Sequence, residues 1–401
     1  MGAINLKHTG SGSDVTLSSD GTDLLLDGTA IGGGGGGSPD LFAENYDGTS
    51  TAPSATGDNA VAIGTGFGGP ATASGFNAIA LGVDAQSTGG ASVAMAYSIA
   101  SASYSFSAGG GNSQVYGASG DNSVAIGTGT SARGSGSAAL GQSAWVDTTG
   151  TQAVALGDSR ASGIHSLAAA ISTNSSSYGA IGANSIAIGY RAKASEGRAV
   201  AIGGSSNIAD GPDSVAIGGQ NNTAGTFANG YAIASGYDSH AYGAYSIALG
   251  NRGRALEDHK YAHGVFPEGS QYGRLILKAA TTDATATAMI SAGSSASTDN
   301  QIILPDNSAY AFHGTIVARE SATDGTDCAA WKVEGLIRRE GSAGTTVLVN
   351  SATTVLDNTP SWGMALSADT TNGGLAITVT GAASTNIRWV ATIHTSEVIY
   401  A

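Results

Sequence analysis

The sequence is poor in charge. Only 11% of its 401 residues are Asp, Glu, Lys or Arg, against about 25% in an ordinary globular domain. Acids outnumber bases by 30 to 16, a net charge of -14. Nucleic-acid binding needs Lys and Arg to displace phosphate counterions, so this balance excludes that class of partner. Seven prolines, without glycine at every third position, exclude a collagen-like chain. A single cysteine, Cys328, excludes an intrachain disulfide framework. No stretch approaches the ~18 uninterrupted apolar residues of a membrane helix, and MGAINLKHTGSG at 1–12 has no apolar core of a secretory signal; membrane insertion is not expected. What the sequence has in excess is glycine, 62 residues, roughly double the usual ~7%. Glycine is the poorest helix former after proline, which excludes a helical bundle. Hydrophobic residues still reach 41% and fall in regular clusters, which excludes simple disorder.

Those clusters are a repeat. NAVAIG at 59–64, NAIALG at 77–82, NSVAIG at 122–127, GSAALG at 136–141, NSIAIG at 184–189, DSVAIG at 213–218 and YSIALG at 245–250 are copies of one unit, with weaker copies between them. Closing glycines at 127, 141, 157, 189, 203, 218 and 250 set a period of 14 to 16 residues. That is too short for a helix pair and fits one coil of a β-solenoid with two short strands and two tight turns. Strand side chains alternate faces, so Val124 and Ile126 point one way and Ala125 the other. Stacked coils build a continuous core that no single coil could bury. The large residues are therefore expected inside the roll, and the small Ala and Ser face against another chain. About thirteen coils at ~4.8 Å each predict a rod of order 60 Å.

The ends differ from the middle. Residues 1–37 are read as an N-terminal β segment that anchors to a larger particle, its hairpins signalled by Asp20-Gly21 and Asp27-Gly28, ending in the glycine run 32–37 as a flexible joint. A linker spans 38–57 and the repeats 58–261. Residues 262–401 carry longer strand-like runs, among them 274–278, 308–319, 329–338, 364–368, 375–379 and 386–395, separated by turn residues. Such spacing predicts an antiparallel, jelly-roll-like β-sandwich.

The units N/S-x-V/I-A-I/L-G, with linking stretches such as RAKASEGRAVAIG at 191–203, resemble the head repeats of YadA-like trimeric adhesins. The resemblance implies a left-handed parallel β-roll, a homotrimer and an extended adhesive object. A sustained heptad pattern for a stalk is missing, which points away from bacterial adhesins and toward tailed-bacteriophage fibres that carry the same repeat. WKVEGLIRREG at 331–341, NTPSWGMALSADTTNGGLAITVTGAA at 358–383 and NIRWVATIHTSEV at 386–398 are similar to a C-terminal domain of phage tail-fibre proteins. The expectation is an all-β fibre on the virion tail, assembled in the host cytoplasm. Its N-terminus would dock to a tail or adaptor protein, and its tip would bind a host-surface glycan or outer-membrane receptor. A tailspike depolymerase, a capsid-attached fibre and a bacterial adhesin head are the alternatives.

No catalytic constellation is legible. The seven histidines form neither His-x-His nor His-Glu-x-x-His, and no Gly-Lys-Ser/Thr follows the glycine runs. No cofactor or metal is expected, and the chain is read as non-enzymatic. Glu334, Arg338, Arg339 and Glu340 read as a solvated strand face, and Cys328 as a free thiol. Candidate receptor contacts are the loop residues Asp324, Asp327, Asn358 and Asn372, with Trp362 either a stacking platform for sugar or part of the core, since Trp is usually well buried.

Overall fold

A computed structural model describes residues 51–400 apart from 65–68, 110–115, 172–176 and 266–268, together with the strand backbones of 4–6, 15–19, 24–26 and 29–30. The protein is all-β; among the described residues the one helical element is the 3-10 turn Ala343–Thr345. The four N-terminal strands pair antiparallel in chain order. The Asp-Gly turns and the glycine run at 32–37 lie outside the described residues.

From Ser54 onward the chain winds a parallel β-solenoid of about fourteen coils. Each coil gives one strand of the Val61–Ile63 type to one sheet and a two-residue strand of the Ser54–Ala55 type to a second, 14-stranded sheet. Register is strict: Ala125 pairs with Ala139, Ala187 with Ala201, and Ala201 with Ala216. The first two-residue strand lies inside the stretch read as linker.

The orientation of the strands reverses the expectation. Ala80, Ala125, Ala139, Ala155, Ala201 and Ala248 are fully buried, and so are Ala73, Ala132, Ala161, Ala209 and Ala241 of the second sheet. The two alanine columns face each other inside the roll. The large residues on either side of each alanine point outward: Ile126 is 42% exposed and Ile217 40%. The physical reason is the width of the coil. Sheets joined every few residues by tight turns leave a narrow space between them, filled mainly by alanine methyls with an occasional larger residue such as Val146, and protein interiors are close-packed.

The turns explain the rest of the repeat. Where a serine precedes the strand it is buried, and in several coils its hydroxyl donates to the carbonyl of a glycine three residues back: Ser92 to Gly89 at 2.7 Å, Ser137 to Gly134 at 2.6 Å, Ser246 to Gly243 at 2.6 Å. The residue before it is left-handed, with φ of 57° at Asn122, Asn184 and Asp213, which Asn and Asp tolerate best. At the closing glycine a side chain is barred outright: a Cβ on Gly203, where φ is 135°, would lie 1.9 Å from the Gly218 carbonyl oxygen.

The sheet of three- to six-residue strands does not end with the roll. Its last parallel strand, Tyr261–Val265, pairs antiparallel with Ser270–Thr281. The sheet continues through Ile387–Ile399, Ser308–Glu320 and Cys328–Arg339 to Val347–Asp357 at the edge. Against one face of this antiparallel sheet lies a smaller one built on Gly374–Thr380, which pairs with Gly363–Asp369, Thr287–Ala288 and Ile302–Ile303. Between them is a core of large side chains, including Leu277, Tyr310, Ile316, Trp331, Ile377 and Trp389.

Candidate functional site

Three surfaces follow from this construction. The first is the outward face of the long sheet, a stripe of half-open Val, Ile and Leu along the roll. It runs on through Tyr261 and His263 onto the exposed face of the C-terminal sheet, because Tyr261 pairs with Arg274 and His263 with Tyr272. There Ile276, Val317, Val390 and Val398 are each about half exposed. His394 stacks on His313 at 5.3 Å and bonds the Tyr272 hydroxyl. Partial burial, then His313 and Arg274 beside it, hold the His394 imidazole below its ordinary value of 6.5. Val347–Asp357, the edge strand of this sheet, exposes nearly every residue, Val355 and Leu356 among them.

The second surface is the far end of the sandwich. Asp324 and Asp327 sit in the connection between Ser308–Glu320 and Cys328–Arg339. The Asp324 carboxylate accepts hydrogen bonds from the Asn386 backbone and side chain, at 3.0 and 2.7 Å, and the Asp327 amide donates to Glu320 at 3.2 Å. Asn358 follows Asp357, which pairs with Ala330 at this same end. These three are brought to one end; Asn372 is not. It lies in the Asp369–Gly374 turn, bound to the Asp369 carboxylate at 2.8 Å, beside Gly373 and the Arg339 side chain at the other end of the sheet. Trp362 is 5% exposed and packs on Trp389 at 5.8 Å. It is core, and its ring offers no face for a sugar to stack on. Asn358 holds the loop in place by bonding both the amide and the carbonyl of Trp362, each at 2.8 Å.

The third surface, at the junction of roll and sandwich, was not legible in the sequence. Lys260 is buried between Glu257, 3.1 Å away, and Glu397, 3.2 Å away. Gln271 bonds Glu397 and the Arg254 backbone. Burial alone would lower the Lys260 ammonium; the two carboxylates outweigh it and raise it, so Lys260 stays charged. Burial pushes the Glu257 carboxyl up. Arg339, expected on a solvated face, turns inward instead and pairs with Asp306 at 2.7 Å and the Leu304 carbonyl at 2.7 Å. Glu334, Arg338 and Glu340 are exposed, and so is Cys328. Among the described residues no group of His, Cys, Asp and Glu could hold a metal ion.

Comparison with known proteins agrees with the roll. The YadA head domain repeat matches residues 54–66, 73–95, 118–144, 180–206, 209–228 and 230–252, all within the solenoid. No curated protein sequence matches the chain. Among solved structures, it is similar to the tailspike protein gp49 of Acinetobacter baumannii bacteriophage Fri1, a capsular polysaccharide depolymerase, at 10% identity and a TM-score of 0.23, over 86% of this chain and 66% of that one. The chain thus spans just under two thirds of that tailspike. It is also similar to the tailspike of Acinetobacter phage vB_ApiP_P1, at 12% identity and a TM-score of 0.19, over 87% and 79% of the two chains. The expectation of a non-enzymatic protein is corrected by these matches to tailspikes, one of them a depolymerase, and is not kept.

Proposed function

We propose that this chain is the subunit of a homotrimeric attachment fibre on a bacteriophage tail. In this reading the N-terminal segment docks to a tail or adaptor protein. The roll acts as the spacer, and the C-terminal sandwich meets a glycan or outer-membrane receptor on the host. The observation that carries it is the apolar stripe. A single chain leaves Val, Ile and Leu half open over nearly every coil and on across the C-terminal sheet, far more than the scattered exposure of a monomer. Three copies closing around one axis, outward faces together, bury the stripe along its whole length. The long exposed edge strand Val347–Asp357 supports association as well, since soluble proteins normally cover or charge such edges. Asp324, Asp327 and Asn358, gathered at the end away from the roll, are the receptor contacts this reading offers.

Two measurements test it. Sedimentation equilibrium of the full chain is expected to return three copies, and a stable monomer would overturn the trimer. Gold-labelled antibody against the sandwich is expected at the outer ends of tail-attached rods, whereas label around the capsid would overturn the tail assignment. Viscosity of host polysaccharide incubated with the same protein shows whether attachment is accompanied by cleavage.

A further inference from the structure

At the junction of roll and sandwich a cleft of about 460 Å³ opens between Arg254 and Leu256 of the last coil and Pro305, Ile399 and Tyr400 of the sandwich. An inner lobe of about 280 Å³ shares most of that wall and reaches Leu304, Thr298 and Asp299. Both are near or within the size of small-ligand sites, ~300–1,000 Å³. The walls are mainly apolar, with Leu256 and Tyr400 open to solvent.

Charge in the cleft is balanced, and nearly all of it is satisfied within the protein. Arg252 and Arg254 share Asp238, at 3.7 and 3.4 Å. Lys260 lies between Glu257 and Glu397, and Arg339 pairs with Asp306. Asp299 is the exception. It is exposed, it forms no ion pair among the described residues, and its carboxylate accepts the neighbouring Thr298 hydroxyl at 3.4 Å. Donors are open as well: a guanidinium carries five N–H groups, and Arg254 meets Asp238 through one nitrogen. The cleft therefore offers a ligand an acceptor and a donor on apolar walls, with no surplus of positive charge.

The cleft lies on the side that the stripe does not use. Arg254 stands on the outer side of the second sheet, since its neighbour Ala255 is buried inside the roll. Gln271 and Ile399 line the cleft, while Tyr272 and Val398 beside them face outward with the stripe. Packing of copies through the stripe leaves the cleft open.

We propose that this cleft binds a neutral hexopyranoside. The C–H faces of the ring pack on Leu256, Pro305 and Tyr400, hydroxyls donate to Asp299, and a hydroxyl oxygen accepts from Arg254. An apolar wall with a few placed polar groups is what such a ring requires. A purely apolar ligand would cover Asp299 and Arg254 without pairing them, which costs binding energy. A uronic acid would bring a second negative charge beside Asp299, which repels it. The site rests on this geometry alone; its role, holding a neutral sugar of a surface glycan, rests on the attachment reading above.

The test is titration of the full-length protein with methyl glucoside, methyl galactoside and methyl mannoside, each against its uronic acid, and with the ammonium sugar methyl glucosaminide, by saturation-transfer NMR. At least one neutral hexoside is expected to bind saturably, and at least about fivefold tighter than its acid. Asp299→Asn is expected to weaken the neutral sugar and to bring its acid to near parity, a change of preference that loss of structure would not produce. Tyr400→Ala is expected to weaken both by about fivefold. Arg338→Gln, in an exposed pair with Glu340 away from the cleft, is expected to leave both unchanged. Binding of none of the hexosides, tighter binding of an acid or of the ammonium sugar, or a preference untouched by Asp299→Asn overturns the proposal. Hexoside binding by a protein that fails to attach to cells keeps the site and removes the attachment role.

Discussion

The two faces of a coil strand differ by one residue and should differ sharply on mutation. Ala216 is fully buried and Ile217 is 40% exposed. Ala216→Leu is expected to destabilise the chain by at least ~1–3 kcal/mol, because nothing in the narrow interior can move aside. Ile217→Ser is expected to leave single-chain stability nearly unchanged and to weaken association between copies instead. Chemical unfolding and sedimentation of both variants separate these outcomes. Lys260 offers a second residue-scale expectation. Lys260→Met leaves Glu257 and Glu397 buried without their shared cation, a loss of ~3–5 kcal/mol read from unfolding midpoints.

Between elements, the coils are tied by side chains as well as by backbone. Asn222 donates to Asn207 at 2.9 Å and to the Gly236 carbonyl at 2.9 Å, a polar ladder inside the roll. Asp147 receives both Arg160 nitrogens at 2.8 Å, along with Ser162 and the Trp145 indole. Burial alone would raise the Asp147 carboxyl; the Arg160, Ser162 and Trp145 bonds outweigh it and hold it below the ordinary 3.8. Asp210, bonded to Ser195 and Lys193, is lowered in the same way. A carboxylate lowered in the fold binds its proton more readily when unfolded. Its stabilisation is therefore present above about pH 3.8 and is lost as pH falls through the lower folded value. Unfolding midpoints are expected to hold down to about pH 4 and fall below it, with Asp147→Asn showing a smaller acid-dependent loss.

At the scale of the whole molecule, the His394–His313 stack lies on the proposed interface, with Tyr272 and Arg274 on one side and Glu334 one strand further on. His394 is held below 6.5 in the folded chain, and its protonation would add charge beside Arg274 on the proposed interface. Association is expected to be full near pH 8 and to weaken toward about pH 5, measured by sedimentation, with His394→Gln flattening the dependence. Here the limits of sequence reading show. Asp324, Asp327 and Asn358 were legible as loop residues because turn chemistry is local, and they do meet at one end. Asn372 belongs to an equally legible turn at the wrong end, since nothing local says which way a strand runs in the sheet.

The amino-acid sequence by itself determined the coil. Its period, the left-handed residue and the turn before each strand and the closing glycine all depend on contacts within one or two turns of chain, and the change to longer strands from 262 onward shows as a change of pattern. Only the tertiary structure decided which face of the coil is the inside. Alternation says that the two faces differ; it is the short distance between the two sheets, filled mostly by Ala with a few larger residues such as Val146 and Asn222, that turns most of the Val and Ile outward. Only the tertiary structure made the junction cleft and its buried ion cluster, where Lys260 meets Glu397 across 137 residues of sequence, a pairing that no local pattern encodes.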